Sequence, residues 1–443
     1  MVYPVDSAPV HESDRAIGAA PPRPERGLWH HPDFLRLWAA QTVSLCGTQV
    51  TALALPSLAI LVLRASPLEV GVLAALPWIA FPVVGLAVGV AVDRLPRRRL
   101  MVVADLGRML ALGSAPVAFA LGLRAMAYLY AVAAVVGLLT VVFEVAYQSY
   151  LPTLVARGSL VEGNAKLALG EGAAQVAGPA LGGLLIGAVG AATALTADAL
   201  SYAASALCLG MIAASDGPPV AATGVRRARI GAEMRDGVGF ALRHPVVRAL
   251  AVASMVQNLG TSIADAVVLI FAYRGLHLTP GAVGLLTAVG SLTFVLAAAT
   301  VARVTRALGV GRTLFVSTLL GACAYLVLPL GLLGLPWLAV ALWRVLFGLH
   351  LPSYNVNVIS ARQAVIPDAL QGRVIATTRT VIFGVLALGP LMSGALATAI
   401  GPAPTILIGG SIFLVGALPL LARPVIALEG QPLQAAVPDE QTL

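Results

Sequence analysis

The chain has 443 residues and a formal net charge of +8, and it is 59% hydrophobic with only 11% charged residues. A soluble domain is about 45–50% apolar and about 25% charged. With a mean hydropathy of +0.91, these figures exclude a large soluble enzyme and describe an integral membrane protein.

Residues 1–27 hold Pro4, Pro9, Pro21, Pro22 and Pro24 among scattered charges. They are expected to form a disordered N-terminus, and they lack the early apolar core of a cleaved signal peptide. Crossing ~30 Å of hydrocarbon takes about 20 apolar residues. Spans of that kind lie near 36–63, 69–92, 100–122, 127–150, 164–188 and 191–213. Six more lie near 247–273, 280–302, 312–334, 336–361, 373–399 and 403–422. The spans fall into an N-terminal half, 28–213, and a C-terminal half, 247–425.

Between the halves, segment 214–246 carries Arg226, Arg227, Arg229, Arg235 and Arg243, with Ile230, Met234, Val238 and Ala241 at helical spacing. That pattern predicts a basic amphipathic helix on the inner leaflet, with a regulatory docking site as the alternative. The tail, 426–443, reads as disordered again. Cys46, Cys208 and Cys323 fall in separate spans and are expected to pack rather than pair. The expected fold is all-α, with twelve transmembrane helices in two six-helix halves.

An internal repeat supports that division. Gly71-Val72-Leu73-Ala74-Ala75 leads to Asp93-Arg94 and Arg97-Arg98-Arg99, and 213 positions later Gly284-Leu285-Leu286-Thr287-Ala288 leads to Arg306 and Arg312. His31-Pro32 matches His244-Pro245 at the same offset. Many transporters are built from such repeats.

If the N-terminus is cytoplasmic, the inner connections hold Arg94, Arg97, Arg98, Arg99, Arg157, Lys166, Arg226, Arg227, Arg229, Arg303, Arg306, Arg312, Arg362 and Arg373. The outer ones hold only Arg64, Arg124 and Arg274. This is the positive-inside bias. It predicts cytoplasmic termini in the cell membrane, and it accounts for the net charge without nucleic-acid binding.

Gly89-x-x-x-Asp93-Arg94-x-x-Arg97-Arg98-Arg99 resembles the signature between the second and third helices of the major facilitator superfamily, with Pro96 where the family usually has Gly. Gly178-Pro179-Ala180-Leu181-Gly182-Gly183 resembles the motif of its antiporter branch. The repeat partner is Gly389-Pro390-Leu391-Met392-Ser393-Gly394. Phe34-Leu35-Arg36-Leu37-Trp38-x-x-Gln41, Leu151-Pro152-x-Leu154-Val155, Leu200-Ser201-Tyr202 and Gly237-x-x-Phe240-x-x-Arg243-His244-Pro245 resemble the macrolide-efflux and enterobactin-exporter group. The resemblance spans about 28–425.

It implies a conformational gate at Gly89, Asp93, Arg94, Arg97 and Arg98, with Asp105 and Arg108 as a second pair one turn apart. Carboxylates and guanidiniums there could lock one state through charge-assisted hydrogen bonds. The alternative for Arg97–Arg99 is that they determine topology alone. Gly178, Pro179, Gly182 and Gly183 would kink one helix and admit a neighbouring backbone.

Ionisable groups at membrane depth are costly and usually face a cavity or a partner. Glu144, Glu171, Asp198, Asp265 and Arg344 are the candidates. The resemblance places the first, fourth, seventh and tenth helices around the cavity, which favours Glu144, Asp265 and Arg344. Asn357 stands opposite Glu144 in the repeat, so a symmetric scaffold does not require that carboxylate. A carboxyl in a poorly hydrated cavity titrates closer to neutrality, which suits a group that exchanges a proton each cycle. The competing reading is a fixed ion pair with Arg344 or Arg379, and Asp198 and Glu171 also read as structural.

On the same helices, Gln41, Thr48, Gln49, Gln257, Asn258 and Asn355 offer polar contacts, and Phe143, Tyr147, Trp343 and Phe347 offer aromatic walls. Interhelical hydrogen bonding is the alternative use of the polar ones. The mix suits a large amphipathic solute. No P-loop and no Cys/His metal spacing is present, and the six histidines are dispersed. Neither an enzyme nor a metal or other cofactor is therefore expected.

The sequence thus predicts a monomeric, alternating-access secondary transporter whose partners are the bilayer, protons and an amphipathic small molecule. Proton-coupled export of a siderophore, macrolide or similar metabolite is the leading expectation. A nutrient importer or facilitator, and a non-transporting scaffold or sensor, are the alternatives.

Overall fold

The computed structural model describes residues 27–214 and 238–428. Among them there is no strand, and twelve long helices account for most of the chain. The N-terminal half comprises α1 (Pro32–Ser57), α2 (Pro67–Arg94), α3 (Arg97–Ala120), α4 (Met126–Leu154), α5 (Leu160–Val189) and α6 (Ala191–Gly210). The C-terminal half comprises α7 (Pro245–Ile270), α8 (Pro280–Leu308), α9 (Val310–Val327), α10 (Pro336–Val365), α11 (Asp368–Ile400) and α12 (Pro402–Val415).

Eleven of these stretches are long and apolar enough to cross a membrane. The remaining helix, α10, carries Arg344, His350 and Arg362, the kind of residues that a helix facing a polar interior tolerates. Most of the predicted amphipathic linker helix, and both predicted tails almost entirely, lie outside the described residues. The three cysteines are free, and Cys323 is exposed rather than packed.

The connection expected to hold Asp93-Arg94 is shorter than the sequence suggests. Helix α2 runs on through Arg94, leaving Leu95 and Pro96 as the whole turn before α3. Pro96 cannot continue α2 and is well suited to precede a helix. In the other half the same repeat position is Gly309, which turns the chain with φ +82.

The repeat is visible in backbone detail. Ser66-Pro67 and Thr279-Pro280 start α2 and α8, and each hydroxyl caps its helix by accepting an amide hydrogen bond, from Glu69 and Ala282 respectively. Helix α1 ends in a widened turn at Leu58–Val62, and α7 does so at Phe271–Gly275. Beyond them Arg64 and His277, also 213 positions apart, share an unusual φ of +53.

The halves meet at the end of the bundle where α1 finishes and α2 begins. A Cβ on Gly71 would overlap Pro390 and Gly394 of α11, and a Cβ on Gly284 would overlap the backbone of Gly183 in α5. The two repeated sequence features therefore pack on each other twice, once on each side of the pseudo-twofold axis. Without a hydrophobic drive between helices in lipid, such close backbone approach supplies the van der Waals contact that holds them. At the same end the Ser57 and Tyr273 hydroxyls lie 2.7 Å apart, and Arg274 donates to the Ile60 carbonyl at 3.1 Å. Nearer mid-length, Ser291 donates to the Gln175 carbonyl at 3.1 Å.

Over-packing a tight contact costs about 1–3 kcal/mol. Gly284→Val is therefore expected to open this end. A cysteine placed at Ser57, which is fully buried, should react several-fold faster with a bulky thiol reagent in that variant than in its parent. Equal labelling rates would contradict the role assigned to the glycine contact.

Candidate functional site between the halves

At the inner limit of the glycine contacts the halves enclose a pocket of about 180 Å³. Its walls include Gln49 from α1, Gln175 and Pro179 from α5, Ser291 and Phe294 from α8, and Arg344 and Phe347 from α10. Gly290 leaves room for the Arg344 side chain, which a Cβ there would crowd. The Arg344 guanidinium lies 4.0 Å from the Trp343 ring centre, and its Nε has no hydrogen-bond partner among the described residues.

Behind Arg344 stands Asp265. Its carboxylate accepts a hydrogen bond from the Tyr325 hydroxyl at 2.8 Å, and the residue is exposed although it lies within a membrane-spanning helix. Arg344 is within electrostatic reach of both Asp265 and Tyr325. Tyr325 is itself fully buried and braced by the rings of Phe347 and Phe413, 5.5 and 6.0 Å away. The arrangement is an acid held by a hydroxyl, with a cation nearby, at the side of a polar and aromatic pocket.

A second group lies on α4 and α5. Tyr147 is within electrostatic reach of both Glu144 and Glu171. Glu171 is exposed and accepts a hydrogen bond from the Gln175 amide at 3.3 Å. Phe143 and Tyr147 stack with centres 6.1 Å apart. Gln175 therefore connects this carboxylate pair with the pocket between the halves.

Other residues singled out in the sequence point elsewhere. Asp105 and Arg108 do pair, but in the buried interior of the N-terminal half rather than at a helix junction. Asp198 is buried beside them. Thr48 bonds to the Tyr202 hydroxyl at 3.1 Å within the same half. Gln41 is buried, and its carbonyl oxygen has no hydrogen-bond partner among the described residues. Gln257 is buried against Gly416, and Asn258 is hydrogen-bonded to its own helix at the Ser254 carbonyl, so neither contributes to the pocket. Trp343 is buried, and Asn355 is exposed without lining the pocket.

The Gly178 motif serves two neighbours. Gly178 and Gly182 admit Gln49 and Val50 of α1, while Gly183 meets α8. Arg98 donates to the Gly210 carbonyl at the end of α6, and Arg94 is exposed. The Asp93 and Arg379 side chains, and the surroundings of Gly89, lie outside what is described. Tyr325, Gln175, Ser291 and Phe294 went unmarked in the sequence. Tyr325 could have been noticed as the one tyrosine of the apolar span 312–334.

A family model described as "transmembrane secretion effector" matches residues 29–440. The multidrug efflux pump Tap of Mycolicibacterium fortuitum is 27% identical over 404 residues, covering 90% of this chain and 95% of that protein. Among solved structures, the nucleoside transporter NupG superposes with a TM-score of 0.70 at 12% identity, over 88% of this chain and 98% of that one. A bacterial homologue of the iron transporter ferroportin in an inward-facing state has a TM-score of 0.71 at 14% identity, over 88% and 97%. The chain belongs to the transmembrane secretion effector family, and it is a multi-pass secondary transporter of the major facilitator type.

A hydrogen bond in a membrane interior contributes about 0.6–2 kcal/mol. Tyr325→Phe and Asp265→Asn are each expected to lower stability. In a double-mutant cycle read by thermal unfolding they should couple by about 1 kcal/mol. Strict additivity would show that the hydroxyl and the carboxylate act independently.

Proposed function

We propose that this transporter is a proton-coupled exporter of large amphipathic metabolites or drugs, such as macrolides or siderophores, and that Asp265 carries the coupling proton. The observation that supports this most is the Asp265 carboxylate itself, an exposed acid within a membrane-spanning helix that is bonded to Tyr325 and attracted by Arg344 of the pocket wall. Protonation would turn that carboxylate from an acceptor into a donor and release Arg344 from its attraction. Deprotonation would restore both, so occupancy of the proton and the position of Arg344 are linked.

Export is favoured by the likeness to a drug efflux pump and by the antiporter-type Gly178-Pro179 motif. If the basic connections lie in the cytoplasm, the end closed by glycine contacts is the outer one and the pocket is loaded from inside. Gln49, Gln175 and Ser291 beside Phe294 and Phe347 would suit a solute with polar groups on an apolar frame. Glu144 and Glu171 would draw protons or cationic substrate groups toward it. Both termini would be cytoplasmic, and a monomer would suffice, because the pocket is complete within one chain.

Inverted membrane vesicles with an acidic interior test this with a panel of macrolides and siderophores. Addition of a transported compound is expected to release lumenal protons. Asp265→Asn should abolish that release while still allowing substrate exchange, and Glu144→Gln should retain it. Loss in Glu144→Gln together with retention in Asp265→Asn would move the coupling site to α4.

A further inference from the structure

The N-terminal half contains a charged cluster that the pocket between the halves does not use. Asp105, Arg108 and Asp198 are 0%, 3% and 0% exposed, and Ser205 beside them is also fully buried. Arg108 pairs with Asp105 and is sandwiched between the rings of Phe143 and Tyr202, 4.5 and 4.2 Å from its guanidinium carbon. It is therefore fixed in place. Asp198 accepts the Ser201 hydroxyl at 2.9 Å, with Thr51 beside it.

Among the described residues, Asp105 Oδ2, Asp198 Oδ2, Ser205 Oγ and Thr51 Oγ1 make no hydrogen bond of good geometry, the Ser205 and Thr51 hydroxyls only approaching Asp105 and Asp198. Two carboxylates against one guanidinium leave a net charge of −1 in a site without bulk water, and an uncompensated buried charge is strongly disfavoured. Something must neutralise it. Among the described residues no other charged side chain faces the cluster. Helix α1 presents Gly47, Thr48 and Thr51, α4 presents Phe143, and α6 adds Ser201, Tyr202 and Ser205.

The repeat shows that the scaffold does not need these charges. Asp198 and Ser201 pack against Gly47 where α1 crosses α6. The equivalent crossing of α7 and α12 is built from Gly260 against Gly409. Gly409 follows Gly401 by the interval at which Asp198 follows Gly190, the two glycines that start these helices. Asp105 and Arg108 correspond, 213 positions on, to Thr318 and Gly321. The space over Gly321 is filled by His350 and Phe413. The same crossings thus form without any ion, and the N-terminal half carries an ion cluster in addition.

A route to it exists. Thr48, Thr51 and Tyr202 also line a cavity of about 420 Å³ between α1, α2, α4 and their neighbours, walled mainly by apolar groups such as Pro77, Trp78 and Phe81. We propose that Asp198 is a second protonation site of the transport cycle, with the Asp105–Arg108 pair as its fixed partner and Thr51 as its door to that cavity. A proton arrives from water in the cavity and bonds to Asp198 Oδ2, cancelling the excess charge. It leaves by the same path when the cavity is hydrated from the other side. For its role in turnover this rests on the proton-coupled reading above, but proton binding itself is testable without transport.

Infrared difference spectra between acid and alkaline conditions, taken on the full chain in lipid, read the carbonyl stretch of protonated carboxyls. Loss of one such band in Asp198→Asn, and its return at a shifted frequency in Asp198→Glu, is the expected result. Asp198→Gly copies the opposite half and should lose the same band while remaining folded by thermal unfolding. An unchanged set of bands in these variants overturns the proposal. So does a band that disappears when sodium chloride replaces choline chloride, which would assign the site to a metal cation. Asp265→Asn should remove a different band, so failure at Asp198 alone leaves the coupling role of Asp265 standing.

Discussion

The structure depends on backbone meeting backbone at two symmetric places. Gly71 against Gly394 and Gly284 against Gly183 bring α2 onto α11 and α5 onto α8 with no side chain between them. Lipid offers helices no hydrophobic gain on association, so contact of this closeness is what distinguishes one end of the bundle from the other. It also makes that end sensitive to small separations. A glycine seam is either in contact or parted, because a small separation already forfeits much of the dispersion energy. A transporter that must open each end in turn has use for an interface of that kind.

Charge is arranged around this seam asymmetrically. The C-terminal half holds Asp265, Tyr325 and Arg344 next to the pocket between the halves. The N-terminal half holds Asp105, Arg108 and Asp198 inside its own helix packing. Neither set has its equal at the repeat-related positions, where Ala52 and Leu112 stand for Asp265 and Tyr325. Under the proposed mechanism the pseudosymmetry would serve the motion, and the departures from it the coupling.

Much of the fold was legible because hydrocarbon thickness imposes long apolar runs and the repeat fixes their pairing. The helix ends were less so: α2 and α5 continue through charged residues such as Arg94 and Glu162, since helical hydrogen bonding does not stop where apolar sequence does. Site residues were harder still. Asp265 and Arg344 stand out as charges within apolar runs, and so does Asp198, yet only the packing separates Arg344, in the pocket wall, from Asp198, enclosed in a half. Gln257 and Gln49 illustrate the limit. Both are glutamines on helices expected to face the cavity, and helix rotation sets one against Gly416 and the other in the pocket wall.

Under the proposed mechanism the glycine seam parts as the opposite end closes, and re-forms as it opens, while protons bind and leave. Spin labels at Arg64 and His277 report the closed end, and labels at Gly158 and Leu308 the opposite one, all four being exposed. Pulsed electron-spin distance measurements across a pH series in lipid would follow both pairs. The account predicts opposite changes, with the first distance lengthening as the second shortens, and with Asp265→Asn arresting the series in one state. Distances that stay fixed, or that grow and shrink together, would contradict it.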